Sequence, residues 1–377
     1  MKITDISLHL AKEWRTFLFV EIQTDEGIVG IGESGITSRE LAIAGGIEHF
    51  KHAVIGKDPF DSQAIWQRLW RGGFYPGGAW AGAAIAAIDM ALWDIKGKAI
   101  GRPVYQLLGG KCRDRVLTYC HLHGANPAEL LASAKERKQA GWRAMRWEPF
   151  AQQGGLFDAD AAIDRSIDEW QMLHEQLGPN VRLCFDAHTK LSPAQAKRFC
   201  RAVESLNPLF VEDPLRSEQP AHYRELRQAT SVPLAAGEQF GSKWQFSQLI
   251  EERLIDLARV DVCIAGGLTE AQKIAAMCEA HDIDLAVHNP VGPVSSAASL
   301  HLNIAMPNVA IQELPRIPTE TMPEVFTTDI EWQDGYLQVP QSAGLGIALN
   351  SAQLDKYPFE ATELPQLYRP DGAFTNW

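Results

Sequence analysis

The chain has 377 residues, 46% of them apolar and 22% charged, which suits a soluble globular protein built from two domains. Its net charge of −12 disfavours nucleic acid and anionic membranes as partners, and no segment approaches the roughly 18 uncharged apolar residues of a membrane span. The six cysteines are scattered without a CxxC pair, mostly inside apolar runs as at Cys184 and Cys263, so reduced thiols and a cytoplasmic location are expected.

The start, MKITDISLHLAKEW, alternates like a strand and lacks the apolar core of a signal peptide. A long extended stretch follows, TFLFVEIQTDEGIVGIGE, with Asp25-Glu26-Gly27 as a hairpin turn. Helical patterns continue to about residue 108. The strongest is AWAGAAIAAIDMALWDIKGKAIG, whose alanines and periodic Ile, Met and Leu predict a helix buried on most sides and ending near Gly101 and Pro103.

From residue 115 strands and helices alternate. The predicted strands are VLTYCHLH, RAMRWEP, RLCFDAH, PLFVED, PLAAGE, LARVDV, DLAVHN and VAIQEL, with an amphipathic helix in most gaps, AQAKRFCRAVESL being the clearest. Eight such repeats argue for a β/α barrel rather than an open sheet, although the last is weak because residues 314–331 carry three prolines and little helical period. The tail includes a hairpin, IEWQDGYLQVP, and the turn-rich SAGLGIAL. The expected division is a cap of residues 1–113, a barrel of 114–320, and a segment of 321–377 that packs back on the cap.

Three carboxylates recur at one interval: Asp186, Glu212 and Glu238, separated by 26 residues (186 to 212) and again by 26 (212 to 238). Each follows a short apolar run and precedes a helix-like stretch, which places them at successive strand tips, where barrels build their sites. Three carboxylates at one mouth repel each other unless a cation lies between them, and an all-oxygen set suits Mg²⁺. A lone strand-end Asp or Glu is usually a helix cap; the repeated register is what favours a metal. His188, two residues past Asp186, shares its strand face and should look into the mouth. His288 ends an apolar strand, and Asp261, at the tip of the strand before, is its candidate partner. Glu313 is either a protonated donor to a developing oxyanion or an ordinary strand-end carboxylate. Two histidines flanking a metal-bound substrate carboxylate allow racemisation or β-elimination of water, with one removing the α proton and the other working on the far face.

CFDAH, FVEDP and AAGEQ, the helix ending MALWDIKGKAIGRPVYQLLGG and the GLGI segment near residue 345 together resemble the enolase superfamily, mandelate racemase subgroup, over nearly the whole chain. The resemblance implies an α+β cap over a (β/α)₇β modified TIM barrel, a homo-oligomer, and Mg²⁺ bound by Asp186, Glu212 and Glu238. The pattern is most similar to the galactonate dehydratase branch, which implies His188 as acid on the leaving hydroxyl, the Asp261–His288 dyad as base, and Glu313 beside it. Racemases of the superfamily carry KxK on the second barrel strand, where this chain has Arg146-Trp147-Glu148. That excludes a lysine base on that face. DAH and VEDP also resemble mannonate dehydratase, and acid-sugar epimerases or cycloisomerases, or a silent sugar-acid-binding barrel, stay as alternatives. Arg146 and Glu148 are expected to face the substrate, an acid sugar, with cap loops near Trp14-Arg15 and Phe74-Tyr75 setting specificity.

Overall fold

The structure is a computed structural model that describes residues 1–151 and 154–375. The cap opens with three antiparallel strands, β1 (Ile3–Lys12), β2 (Thr16–Thr24) and β3 (Val29–Ser34), in the order β1-β2-β3. Helices α1 (Glu40–Val54), α2 (Ser62–Arg71) and α3 (Ala79–Ile100) follow. As its alanine-rich sequence predicts, α3 is buried along almost its whole length and stops at Gly101, whose left-handed φ of 70° closes the helix. The sheet sits directly on α3: a Cβ on Gly32 would collide with the Ala87 carbonyl. Asp94, buried on α3, accepts from Ile31 N at 3.0 Å and Leu345 N at 2.8 Å, tying sheet, helix and C-terminal tail together. A short helix, α4 (Val104–Leu107), leads into the barrel.

Eight parallel strands form that barrel: β4 (Arg115–His121), β5 (Ala144–Trp147), β6 (Arg182–Asp186), β7 (Phe210–Glu212), β8 (Leu234–Ala236), β9 (Leu257–Ala258), β10 (Asp284–Val287) and β11 (Val309–Glu313). Pairing of β11 with β4 closes the ring. Seven helices fill the gaps: α5 (Pro127–Gln139), α6 (Ala159–Leu177), α7 (Pro193–Val203), α8 (Tyr223–Ala229), α9 (Lys243–Glu251), α10 (Leu268–Glu279) and α11 (Pro293–Ala305). Among the described residues no long helix follows β11, so the fold is a (β/α)₇β barrel under an α+β cap. The strands are apolar runs because both faces are covered. Outward residues such as Trp147, Phe185 and Val211 pack on the helices, each such buried side chain contributing about 1.5–3 kcal/mol.

The tail departs from the expectation that all of it returns to the cap. Strands β12 (Phe326–Thr328) and β15 (Ile347–Leu349) pair with each other, but the hairpin of β13 (Trp332–Gln333) and β14 (Tyr336–Gln338) adds to the barrel, with Tyr336 opposite Leu117. The N-terminal half of β4 reaches below the closed ring, and its free hydrogen-bonding edge takes the hairpin. Residues on both sides of the hairpin touch the cap: Phe326 meets Phe19 edge-on with ring centroids 5.0 Å apart, and Lys12 N donates to Tyr357 O at 3.2 Å. All six cysteines are free, and among the described residues no helix is long and apolar enough to cross a membrane.

Candidate active site

One inward-facing residue from each barrel strand forms an apolar floor: Tyr119, Ala144, Cys184, Phe210, Ala235, Leu257, Ala286 and Ile311. The next inward positions lie two residues further on. They are His121, Arg146, Asp186, Glu212, Gly237, Arg259, His288 and Glu313. Seven of the eight are ionisable, so the polar layer of the site rests directly on the floor.

Two arginines tie this layer together. Arg259, fully buried, donates from Nε to Glu212 Oε1, from Nη1 to Ala286 O at 2.7 Å, and from Nη2 to Glu313 Oε2 at 2.6 Å. Arg146 bonds Asp186 Oδ2, and its Nη2 lies 2.7 Å from His188 Nε2. Glu313 also accepts from Asn289 N at 3.0 Å and meets His121 Nε2 at 2.6 Å. Burial would raise the Glu313 carboxyl, but Arg259 and His288 outweigh it and hold Glu313 well below the usual range. Glu313 is therefore a carboxylate here, not the protonated donor that was one of its two expected roles.

His188 reaches the mouth by a route that strand alternation does not predict. It lies past β6 with a left-handed φ of 47°, and its backbone N donates to Asp186 Oδ1 at 2.8 Å. Its ring spans Glu148 (Nδ1 to Oε2, 2.6 Å) and Asp186 (Nε2 to Oδ2, 2.7 Å). Burial opposes its charge, yet Asp186 and Glu148 prevail and raise it to about 10. Opposite, His288 Nδ1 lies 2.6 Å from Asp261 Oδ2, and the two residues form a parallel bridge just beyond β9 and β10. Strand β9 itself is only two residues long, shorter than LARVDV suggested. Asp261 Oδ1 accepts from Cys263 N at 2.6 Å, so both oxygens are committed. The other ring nitrogen, Nε2, points to Glu238 Oε2 at 3.4 Å. Burial lowers the His288 pKa, but Glu238, Glu313 and Asp261 together raise it.

Glu238 lies two residues past β8, beyond Gly237, rather than at the strand tip. Its position makes it the shared member of two groups. Asp186, His188 and Glu238 hold ligand atoms within 4.8 Å of one another, and so do Glu212, Asp213 and Glu238. The expected trio is thus split across two groups that meet at Glu238, with Asp186 and Glu212 each tied at one oxygen to an arginine. Three buried oxygens here have no hydrogen-bond partner: Glu212 Oε2, Asp213 Oδ2 and Glu238 Oε2. Burial, then Asp186 and Glu238, push the Glu212 carboxyl well above its usual range against the pull of Arg259. Orphaned buried oxygens on crowded carboxylates are costly, and a hard divalent cation would satisfy them. The residues present fit such an ion.

A cavity of about 630 Å³ opens above this layer between barrel and cap. Arg146, Glu148, His188, Glu238 and His288 line its barrel side, and Trp14, Arg15, Thr37 and Trp80 its cap side. All four expected substrate-facing residues border it. Phe74 and Tyr75 do not; they are 92% and 86% exposed, and Trp80, in the first turn of α3, borders the cavity instead. Sequence reading missed His121 and Arg259. Their signal was there: each stands two residues after an apolar floor residue, as Asp186 and Glu212 do.

The family profile described as "Mandelate racemase / muconate lactonizing enzyme, N-terminal domain" matches residues 4–109, and "Enolase C-terminal domain-like" matches residues 129–353. The D-galactonate dehydratase of Variovorax paradoxus is 40% identical over 389 residues, covering 100% of both chains. A D-mannonate dehydratase of a Caulobacter species is 33% identical over 405 residues, again covering 100% of both. A crystal structure of an enolase from Pantoea ananatis with bound D-gluconate and Mg superposes with a TM-score of 0.94 at 32% identity, covering 100% of this chain and 99% of that one.

Proposed function

The chain belongs to the enolase superfamily, in its mandelate racemase subgroup, and from that premise we propose that it is a Mg²⁺-dependent dehydratase of an acid sugar. The observation that carries this reading is the placement of two histidines, each paired with a carboxylate, on opposite sides of one carboxylate cluster. Asp186, Glu212 and Glu238 would hold Mg²⁺. When bound, the ion would neutralise the substrate carboxylate and the negative charge that develops there.

Asp261 accepts from His288 Nδ1 and leaves Nε2 to take the C2 proton of an aldonate. His188, whose ring spans Glu148 and Asp186, gives its proton to the C3 hydroxyl as the C3–O bond breaks. Water leaves, the enol takes a proton at C3, and a 2-keto-3-deoxy acid results. Arg146 is always charged and serves as no base; with Glu148 it faces the sugar hydroxyls from the barrel, while Trp14 and Arg15 face them from the cap. That geometry disfavours racemisation, which needs a base on each face of C2.

One base on one face also restricts the substrate. Galactonate and gluconate share their configuration at C2, and mannonate is inverted there. A panel of aldonates incubated with Mg²⁺, read by formation of 2-keto-3-deoxy acid, should give product from one C2 series only. Binding of these acids without product from any would favour a silent sugar-acid-binding barrel.

A further inference from the structure

We propose that Glu33 and Arg15 of the cap clamp the loop that bears His288, making Glu33 a positioning residue for proton abstraction; this rests on His288 being the base. Glu33 lies on β3 and is wholly buried. Its Oε1 accepts from Gly292 N at 2.6 Å and its Oε2 from Ser295 N at 2.9 Å. Those two N–H groups open α11, whose N-cap, Gly292, has no side chain to satisfy them. A carboxylate from the other domain does the capping that a local Ser or Asp usually does, and the helix dipole favours its charge. Arg15 Nη1 donates to Pro290 O, two residues after His288. A Cβ on Gly292 would collide with Glu33 Oε1, so loop and carboxylate are in tight contact.

The segment from His288 to Ser295 is therefore held from two sides. From the barrel, Glu313 accepts from Asn289 N at 3.0 Å and Asn289 Nδ2 at 3.0 Å. From the cap, Glu33 and Arg15 fix residues 290–295. Ser295 joins the two systems, because its Oγ donates to Asn289 Oδ1 at 2.7 Å. Asp261 sets the rotation of the His288 ring; these contacts set where its backbone stands. A displacement of about 1 Å at a reacting group costs on the order of 10²-fold in rate, and loss of an orienting partner about 10–100-fold.

Glu33→Gln keeps the shape but turns an amide N–H₂ toward one of the two backbone donors. Its crystal structure should show residues 288–292 displaced. Its C2 hydrogen exchange with solvent deuterium and its kcat should fall about 10–100-fold, with KM changed less than about threefold, and Glu33→Asp should recover part of the loss. A segment that stays in place, or exchange at the wild-type rate alongside a lowered Tm, would reduce Glu33 to a domain staple and overturn the proposal. Wild-type enzyme that forms no 2-keto-3-deoxy acid from any aldonate would instead bring down the proposed function, and the crystallographic arm would then decide the clamp alone.

Discussion

Asp261→Asn separates a working dyad from a buried structural pair. The carboxylate is wholly buried and His288 is 8% exposed, so their 2.6 Å contact is shielded from water and charge-assisted. Such a bond is worth about 1.5–3 kcal/mol. The amide costs more than that here. Asp261 Oδ1 accepts from Cys263 N at 2.6 Å, and the single oxygen of Asn would keep that bond. Its N–H₂ would then face His288 Nδ1 and force the ring proton onto Nε2, the atom that must take the C2 proton. The base is lost by tautomer inversion, not only by loss of charge. We expect kcat to fall about 10²–10⁴-fold, or about 3–5 kcal/mol of barrier. Product formation and C2 hydrogen exchange should fall together, with Mg²⁺ affinity by calorimetry little changed. A near-normal kcat together with a lowered Tm would refute the dyad and leave Asp261 as a loop cap.

His188→Asn should lose dehydration by about 10²–10⁴-fold yet retain C2 exchange, because it removes the acid and leaves the base; normal dehydration would contradict its role. Arg259→Met should destabilise the fold by about 3–5 kcal/mol in denaturant titration, since Glu212 and Glu313 would lose their buried counter-charge, and a loss under about 1 kcal/mol would argue against the pairing. Burial raises buried Asp89 from 3.8 to about 6, against the Thr269 hydrogen bonds, so the folded state holds its proton more tightly than the unfolded chain does. That contribution is complete below about pH 4, is lost as pH rises through about 6, and amounts to about 3 kcal/mol. Asp89→Asn should therefore gain stability over wild type between pH 4 and pH 7, and a pH-independent difference in Tm would refute the assignment.

Much of the barrel and the strand-tip chemistry was legible because both obey short periods. Asp186, Glu212 and His288 continue the alternation of their own strands above the apolar floor, and the repeat of 26 residues marks the βα unit. What escaped depends on contacts between distant parts of the chain. Arg259 reads as an ordinary charge in LARVDV until folding places it between Glu212 and Glu313. Glu33 reads as the end of a hairpin strand, and its two partners lie 259 and 262 residues away. Strand alternation and the 26-residue repeat put His188 and Glu238 at the mouth, and both border the cavity, but by another backbone route: one turns through a left-handed residue and the other lies past its strand. The β13–β14 hairpin was recognised locally, yet no local signal says which sheet edge is free to receive it.

Under the proposed function, the choice of cations in the polar layer leaves the proton transfers to the two histidines. On the strand-two side stands Arg146, and between Glu212 and Glu313 stands Arg259. A guanidinium stays charged in any protein environment, so neither can exchange a proton during turnover. A lysine in either place could lose its proton when buried and become a base, which would put proton abstraction on a second face of the substrate. With arginine there, the fixed positive charges position carboxylates and, at Arg146, border the cavity, but take no proton. Of the titratable groups that line the cavity, His288 has Nδ1 on Asp261 and Nε2 3.4 Å from Glu238 Oε2, and His188 is held between Glu148 and Asp186. The first arrangement suits a base with a defined tautomer, the second an acid that keeps its proton until a leaving oxygen takes it. A base and an acid on opposite faces is the layout that the proposed elimination needs.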